Sequence, residues 1–204
     1  GLSDKALQAA WQATKFTHAI TDTPRDLPEK TETISPQASM NSIKITDSID
    51  SAQTELLRIF TGGSTGNPQI WSKTATNIIG EGVFLAKAHG ITRDDCILAT
   101  IPPYHIYGLL FSVIVPLVSK AAVIGETPVF PAEILNTTEK QQATILVSVP
   151  AHYRALQDKK LPVRLAFSSA GMLDAAINNR FSKHNAGIVE VYGSTETGGI
   201  ARRN

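Results

Sequence analysis

The pattern of apolar and polar positions divides the chain into two parts. From residue 56 onward, short apolar runs bounded by turn-forming residues alternate with stretches of helical periodicity. The strand candidates are residues 56–60, 96–101, 121–124, 144–149, 163–167 and 187–191. The helix candidates are residues 72–89, 106–118, 131–141, 151–157 and 173–184. Strand–helix alternation of this kind predicts an α/β fold, with a layered, mostly parallel β-sheet flanked by helices.

The first 55 residues follow a different pattern. A loose helical stripe within residues 4–20 consists of Leu7, Trp11, Phe16 and Ile20. Residues 21–51 are rich in Thr, Ser, Pro, Asp and Glu, which is typical of a loop or linker. We therefore predict a helix with a polar, linker-like stretch over residues 1–55, followed by an α/β core over residues 56–204.

Composition and charge narrow the classes of function. Of the 204 residues, 42% are hydrophobic and 18% are charged, which excludes disorder along the whole chain. The 19 Lys and Arg against 18 Asp and Glu leave a net charge of +1, so we expect no nucleic-acid partner. No apolar run is long enough for a membrane span. The lone cysteine, Cys96, excludes an internal disulfide framework and is compatible with a reducing compartment, so we expect a cytoplasmic protein.

A loop rich in glycine and hydroxyl groups follows the first strand candidate of the core. Its members are Thr61, Gly62, Gly63, Ser64, Thr65 and Gly66. Glycines allow successive backbone N–H groups to point into one concavity, and the hydroxyls add uncharged donors, so this loop is suited to wrap a polyphosphate. The alternative is a Gly/Ser-rich turn that only connects two elements.

Two sharper motifs compete for the same loop. A Walker phosphate loop needs a lysine after its last glycine, and no lysine follows Gly66. The pattern Gly-x-Ser-x-Gly, which would make Ser64 a hydrolase nucleophile, needs a helix directly after the serine. Pro68 disfavours helical dihedral angles at Asn67 and so argues against that motif, although a serine hydrolase stays open as an alternative.

A second candidate loop lies between a strand candidate and the helix candidate that begins at residue 106. It carries Tyr104, His105 and Gly108. The N-terminus of a helix disfavours a positively charged imidazole, so one interpretation is a neutral His105 that donates a hydrogen bond or forms a pocket wall. The alternative is a half-buried histidine that caps the turn.

Two more loops follow later strand candidates. Small residues around Gly171 would let a flat ligand lie against the backbone, although tight packing explains them equally well. The last loop contains Tyr192, Gly193, Ser194, Thr195 and Glu196. An aromatic ring is suited to stack on a base, a threonine to bond a phosphate oxygen, and a carboxylate to hold Mg²⁺. We expect all four loops at the C-terminal ends of parallel strands, where ligands of such sheets gather.

These segments together resemble the adenylate-forming enzymes, which include acyl-CoA synthetases, the adenylation domains of peptide synthetases, and luciferases. Residues 61–68 are similar to the signature Thr-Ser-Gly-Ser-Thr-Gly-x-Pro-Lys, and residues 192–196 match Tyr-Gly-x-Thr-Glu. Residues 103–108, 149–156 and 169–173 resemble weaker motifs of the family. The order and spacing agree over about residues 55–200, which implies part of the large domain of such an enzyme.

The resemblance implies a role for each matching position. The implied ATP-binding residues are Thr61, Gly62, Gly63, Ser64, Thr65, Gly66, Gly171, Tyr192, Gly193 and Ser194. The implied catalytic residues are His105, Thr195 and Glu196, with Glu196 as the Mg²⁺ ligand. The residues expected to border the carboxylic acid substrate are Tyr104, His105 and Gly108.

The implied reaction is the ATP-dependent activation of a carboxylic acid. The carboxylate attacks the α-phosphorus, which gives acyl-AMP and pyrophosphate, and the acyl group then passes to a thiol. ATP and Mg²⁺ are the implied cofactors. CoA and the phosphopantetheine of an acyl carrier protein both stay open as acceptors.

The chain departs from the family pattern in three places. Gln69 stands where the family has a lysine, and Lys73, one helical turn later, is the candidate to replace that charge. Gly62 replaces a serine. The sequence stops at Asn204, before the family's ribose-binding aspartate and its lysine-bearing C-terminal domain, so we expect weak ATP binding and little turnover from this chain alone. A degenerate, non-catalytic nucleotide-binding module is the remaining alternative.

Overall fold

The computed structural model of the protein describes residues 4–16, 18–20, 26–28, 31–34, 53–61 and 69–204. The chain divides into two compact units, each of which is described by itself. The first comprises Gly1–Ser51 and Phe60–Trp71, and the second comprises Ala52–Ile59 and Ser72–Asn204. Within the described residues, no helix is long and apolar enough to cross a membrane.

The bounds of the elements in the described part of the chain are as follows. The α-helices are α1 (Asp4–Thr14), α2 (Ala75–Ala88), α3 (Ile106–Leu109), α4 (Val115–Ser119), α5 (Pro131–Lys140), α6 (Pro150–Leu156) and α7 (Ala175–Phe181). A π-helical segment, Leu110–Ile114, joins α3 to α4. The strands are β1 (His18–Ile20), β2 (Glu32–Ile34), β3 (Glu55–Thr61), β4 (Gln69–Thr74), β5 (Cys96–Ala99), β6 (Ala122–Val123), β7 (Ile145–Ser148), β8 (Leu165–Ser168), β9 (Ile188–Ser194) and β10 (Gly198–Arg203).

The first unit contains helix α1 and the parallel pair β1–β2, in which His18 is opposite Glu32. The predicted helical stripe therefore ends early: the helix stops at Thr14, and Ile20 belongs to a strand. Strand β2 falls inside the stretch predicted as a linker, most of which lies outside the described residues.

The second unit is built on a six-stranded sheet with the order β10-β9-β8-β7-β5-β6. Strands β6, β5, β7, β8 and β9 run parallel, and β10 is antiparallel to β9. This arrangement confirms the predicted α/β class with a mostly parallel sheet. Because the parallel strands run in one direction, the segments after β5, β7, β8 and β9 all leave the same edge of the sheet.

Both faces of this sheet are buried, and the alternation of strand side chains explains why. Ile97, Val147 and Phe167 point to one face, where they pack with α2 and the 106–119 helical stretch. Leu146 and Ile188 point to the other face and pack with α5, α6 and α7. Strands buried on both faces read as continuous apolar runs, which is the pattern that revealed them in the sequence.

The helix candidates differ from the structure by up to three residues at their ends, and two of them differ for a clear physical reason. Residues 72–74 belong to strand β4, and α2 begins only at Ala75 because Thr74 is its N-cap and accepts a bond from the Asn77 N–H at 3.2 Å. The helix predicted at 106–118 is continuous but contains the π-helical turn. That turn lies just before Pro116, which has no N–H to donate to the helix.

Candidate functional site

The predicted loops of the second unit all follow the C-terminal ends of strands at one edge of its parallel sheet. The segment with Tyr104 and His105 follows β5, the segment with Gly171 follows β8, and the turn of residues 195–197 follows β9. Adjacent strands β8 and β9 are paired in parallel, with Ser168 opposite Glu190. The Gly171 loop and the residues that follow β9 are therefore neighbours, as expected for a ligand site of an open α/β sheet.

A groove of about 510 Å³ lies between the loop after β8, the end of β9 and strand β10. Its lining includes Gly171, Tyr192 and Gly193, so the structure brings these three predicted residues together. The Tyr192 side chain is 65% exposed, which leaves an aromatic ring accessible at the groove. The volume lies within the range of small-molecule sites.

The loop after β8, residues 169–173, is held in place by defined contacts. Ala170 has a φ of 65°, a left-handed conformation that is uncommon for a residue with a Cβ. Leu173 is buried, and its N–H donates to the Glu190 carboxylate at 2.8 Å. The Arg203 guanidinium donates to both Glu190 and the Leu173 carbonyl, each at 3.2 Å. The backbone beside Gly171 is therefore fixed along one wall of the groove.

The 195–197 turn joins β9 to β10 and carries Thr195 and Glu196. The Thr197 N–H donates to the Ser194 hydroxyl at 3.3 Å, which closes the turn. A Cβ on Gly193 would lie 2.5 Å from the Gly198 carbonyl oxygen, so the close approach of the two strands requires glycine at that position.

The Glu196 carboxylate is exposed at the tip of this turn. A hydrogen bond from the Ser194 hydroxyl, the backbone N–H of Glu196 and the charge of Lys73 lower the pKa of Glu196. The side chain is therefore ionised at neutral pH. Thr195 beside it is half-buried.

The loop after β5 places Tyr104 and His105 at the surface, with their ring centroids 4.6 Å apart. His105 is the N-cap residue of α3 by its backbone, but its ring makes no capping hydrogen bond. This rules out the alternative of a half-buried histidine that caps the turn. Gly108 is buried, and its approach to the Pro102 backbone explains why a glycine stands there. Contact of these three residues with a substrate remains a prediction.

A cluster of polar side chains at the same edge of the sheet was not predicted from the sequence. The hydroxyls of Thr100 and Ser148 are buried and 2.8 Å apart, and both lie near His152 Nδ1, at 3.1 and 2.9 Å. Ser168, on the next strand, has a fully buried hydroxyl with no hydrogen-bond partner among the described residues. No motif marks these residues, because they come from separate strands and a helix.

The His152 contacts lead to a pH prediction. Burial lowers the pKa of His152 below 6.5, so the unfolded chain binds a proton more readily than the folded chain just below that pH. Stability is therefore lost as pH falls through about 6.5. Urea unfolding at pH 7.5 and 5.5 should show a smaller loss for His152→Gln than for the wild type. An equal loss in both proteins would contradict this role. His89, whose pKa is also lowered by burial, contributes alike to both.

Several predicted residues fall outside this description. Residues 62–68, which include Gly62, Gly63, Ser64, Thr65 and Gly66, lie outside the described residues, and Thr61 ends β3 in the first unit. The predicted convergence of Ser64 and Glu196 on one nucleotide therefore stays a prediction. The first described residues after the loop form strand β4, whereas a hydrolase elbow at Ser64 needs a helix there.

The structure corrects the position that we expected for Lys73. Its proposed replacement of the family lysine assumed that it lies one helical turn beyond Gln69, but both residues are on strand β4. The Lys73 side chain is only 6% exposed, and its ammonium donates to the Glu196 carbonyl at 3.0 Å. It therefore contacts the turn that carries Glu196.

The donor set at this edge restricts the kind of metal that fits. Within the described residues, no three His, Cys, Asp or Glu side chains cluster closely enough to hold a metal ion. A single ionised carboxylate such as Glu196 fits Mg²⁺, which is usually held by one or two carboxylates together with phosphate oxygens and water.

The sequence and the fold place the chain in a known family. Residues 3–204 match the sequence profile described as AMP-binding enzyme, and the chain belongs to that family. Its relatives are acyl-CoA ligases, which confirms the resemblance drawn from the motifs.

The chain is similar in sequence to a CoA ligase and in fold to the solved structures of two further proteins. The chain is 32% identical over 156 residues to a 4-coumarate–CoA ligase from Halorhodospira halophila, covering 75% of this chain and 39% of that protein. Its fold is similar to ATP-bound MatB from Rhodopseudomonas palustris, with a TM-score of 0.82, 20% identity, and coverage of 100% of this chain and 45% of the other. It is also similar to the O-succinylbenzoate–CoA synthetase MenE from Bacillus subtilis in complex with ATP and magnesium, with a TM-score of 0.79, 17% identity, and coverage of 100% and 45%. The chain therefore spans less than half the length of these proteins.

Proposed function

We propose that the chain binds ATP with Mg²⁺ at the C-terminal edge of its parallel sheet and serves in the AMP-forming activation of a carboxylic acid. The observation that carries this proposal is one juxtaposition: the groove beside Gly171 and Tyr192 adjoins the turn with Thr195 and the ionised Glu196. A groove with room for more than a purine base, next to an anionic metal ligand at the same edge, suits a purine nucleotide with its phosphates.

Each residue has a separate task in this proposal. Tyr192 packs on the adenine ring, whose other face lies against the backbone at Gly171. Thr195 donates to an α-phosphate oxygen, and the Glu196 carboxylate holds Mg²⁺. When bound, Mg²⁺ supplies positive charge to the phosphate oxygens. Tyr104 and His105, on the loop after β5, border the carboxylate substrate.

The chemistry is a displacement at the α-phosphorus. A carboxylate oxygen forms a bond to that phosphorus, the bond to the bridging oxygen breaks, and pyrophosphate leaves with the electron pair. In the second step a thiolate attacks the acyl carbon, and AMP leaves. Catalysis rests on positioning and on charge placed where the transition state needs it. The relatives 4-coumarate–CoA ligase and sulfoacetate–CoA ligase both act with CoA, which favours CoA over a carrier-protein thiol as acceptor.

The relatives support a general class of substrate. Their names include a 4-coumarate–CoA ligase and a sulfoacetate–CoA ligase, so both aromatic and short polar acids occur among them. In this chain a small, largely apolar pocket of about 40 Å³ lies between α2, α3 and the end of β9, beside Ser194. A pocket of that size has room for little more than one water molecule, so it is too small for the acyl group of either acid.

Calorimetric titration of the 204-residue chain tests the proposal. We expect saturable binding of ATP in the presence of Mg²⁺ that AMP competes away, and weaker binding of ATP when EDTA removes the metal. Carboxylate-dependent exchange between ATP and pyrophosphate should be slow. The proposal is wrong if millimolar ATP with Mg²⁺ gives no binding heat to folded protein, or if the metal makes no difference.

A further inference from the structure

Two charged side chains, the Lys73 ammonium and the Glu81 carboxylate, lie against the hairpin whose turn carries Thr195 and Glu196. Lys73, near the end of strand β4, is 6% exposed, and Glu81, on the second turn of α2, is half-buried. Burying an ammonium or a carboxylate is unfavourable unless each finds hydrogen bonds and opposite charge. The resemblance to the family suggested Lys73 only as a replacement for the missing lysine, and it assigns no role to Glu81.

Each member of the pair bonds the backbone of the β9–β10 hairpin on a different side of the turn. The Lys73 ammonium donates to the Glu196 carbonyl oxygen at 3.0 Å. The Glu81 carboxylate accepts from the Gly199 N–H at 2.7 Å. One side chain therefore holds a carbonyl within the turn, and the other holds an N–H just after it.

The charge of Lys73 acts on Glu81, and the Glu81 carboxylate packs against Gly198. Burial raises the pKa of Glu81, while the Gly199 bond and the Lys73 charge act in the opposite direction. A Cβ on Gly198, whose φ is +75°, would lie 2.5 Å from a Glu81 carboxylate oxygen. Glycine at position 198 therefore both permits the turn and leaves room for the carboxylate.

We propose that Lys73 and Glu81 are positioning residues of the nucleotide site, which together hold the 195–197 turn so that Thr195 and Glu196 face the phosphates and Mg²⁺. The effect on nucleotide and Mg²⁺ binding rests on the proposed function, whereas the two bonds to the turn do not depend on it. Neither side chain has to touch the nucleotide, because both act through backbone groups of the turn. A turn fixed before the ligand arrives needs no reorganisation when charge develops.

Amide hydrogen exchange in the nucleotide-free chain tests the geometry. Lys73→Met removes the donor and the charge while keeping an apolar stem, and we expect the amides of Thr197 and Gly199 to exchange at least about tenfold faster. Lys73→Arg keeps the charge and the donors and should stay near the wild type. The matched control is Lys87→Met, at an exposed position on α2. Unchanged exchange at both amides in Lys73→Met overturns the proposal, whatever the nucleotide does.

The second arm measures the Mg²⁺ concentration that half-saturates ATP binding, by calorimetry on the same proteins. We expect Lys73→Met to need about tenfold more Mg²⁺, and Lys73→Arg and Lys87→Met to match the wild type. Faster exchange with unchanged Mg²⁺ dependence would make the pair structural only and overturn the positioning role. Absence of ATP binding by the wild type would instead reject the proposed function.

A charge-only variant covers the case in which Lys73→Met does not fold. Glu81→Gln keeps an oxygen that can accept from the Gly199 N–H, but it removes the negative charge that interacts with the Lys73 ammonium. We expect an intermediate increase in the required Mg²⁺ and a cooperative unfolding transition like that of the wild type. Its control is Glu139→Gln, at an exposed position on α5. A Glu81→Gln protein that matches this control in both readouts would overturn the role of the charge pair.

Discussion

Replacing Glu196 by alanine should weaken the Mg²⁺-dependent binding of ATP at least about 100-fold, as measured by calorimetric titration. Changes to groups that merely orient metal ligands typically cost about 10- to 100-fold in metal affinity, so loss of the ligand itself should cost no less. The substitution leaves the Glu196 carbonyl, and with it the Lys73 bond, in place. The carboxylate is exposed, so folding should be unaffected.

The control for this variant is Glu139→Ala, which removes another exposed carboxylate, on α5. It should bind ATP with Mg²⁺ like the wild type. Thermal unfolding of both variants checks that a loss of binding is not a loss of fold. Equal affinities of Glu196→Ala and the wild type at limiting Mg²⁺ would remove Glu196 from the metal site.

Gly108→Ala should destabilise the protein by about 3 kcal/mol or more, because the added methyl group has nowhere to go. A Cβ at this position would lie 2.1 Å from the Pro102 carbonyl oxygen and 2.8 Å from that of Ile101. Both obstacles are backbone atoms of the loop that carries Tyr104 and His105, so relief requires that loop to move. The free energy of unfolding, from urea titration, measures the effect.

Two glycines of helix α2 provide matched comparisons. A Cβ on Gly80 would meet nothing within 4 Å, so Gly80→Ala should stabilise the protein by up to about 1 kcal/mol through helix propensity. A Cβ on Gly82 would lie 2.5 Å from Ile114 Cγ2, a side-chain atom, so Gly82→Ala should fall between the other two. If Gly108→Ala unfolded at the same urea concentration as Gly80→Ala, the result would contradict the close approach of Gly108 to the Pro102 carbonyl.

The sheet could be predicted because its strands obey a local rule. Runs such as 96–101 and 144–149 are apolar throughout, which is how strands covered on both faces appear in a sequence. All six strand candidates have a counterpart in the structure, but the first, 56–60, corresponds to β3, which pairs with β4 in a separate two-stranded sheet. Strand β10 was not predicted, because it is exposed along most of its length and contains two glycines and two arginines. Strand β4 escaped because its residues continue into the helical pattern of α2.

The site could be predicted only where short motifs mark it. Tyr192 and Glu196 were found because five consecutive residues match a family signature, and Gly171 because of its small neighbours. The motifs did not point to Glu81 at all, and they pointed to Lys73 only as a replacement for the family lysine, not as a contact of the 195–197 turn. The Lys73–Glu196 bond spans 123 residues and the Glu81–Gly199 bond spans 118, so only the fold brings the partners together. Single charged residues on an amphipathic element look like ordinary surface residues in a sequence.

Photoaffinity labelling with 8-azido-ATP and Mg²⁺, followed by tryptic peptide mapping, tests the placement of the nucleotide most directly. Cleavage after Arg164, Arg180, Lys183 and Arg202 yields peptides 165–180 and 184–202, which contain Gly171 and Tyr192, respectively. We expect label on one or both of these peptides and its loss when ATP competes. Label that ATP displaces from peptide 121–140 alone, on the far side of the sheet order, would contradict a nucleotide site at β8 and β9.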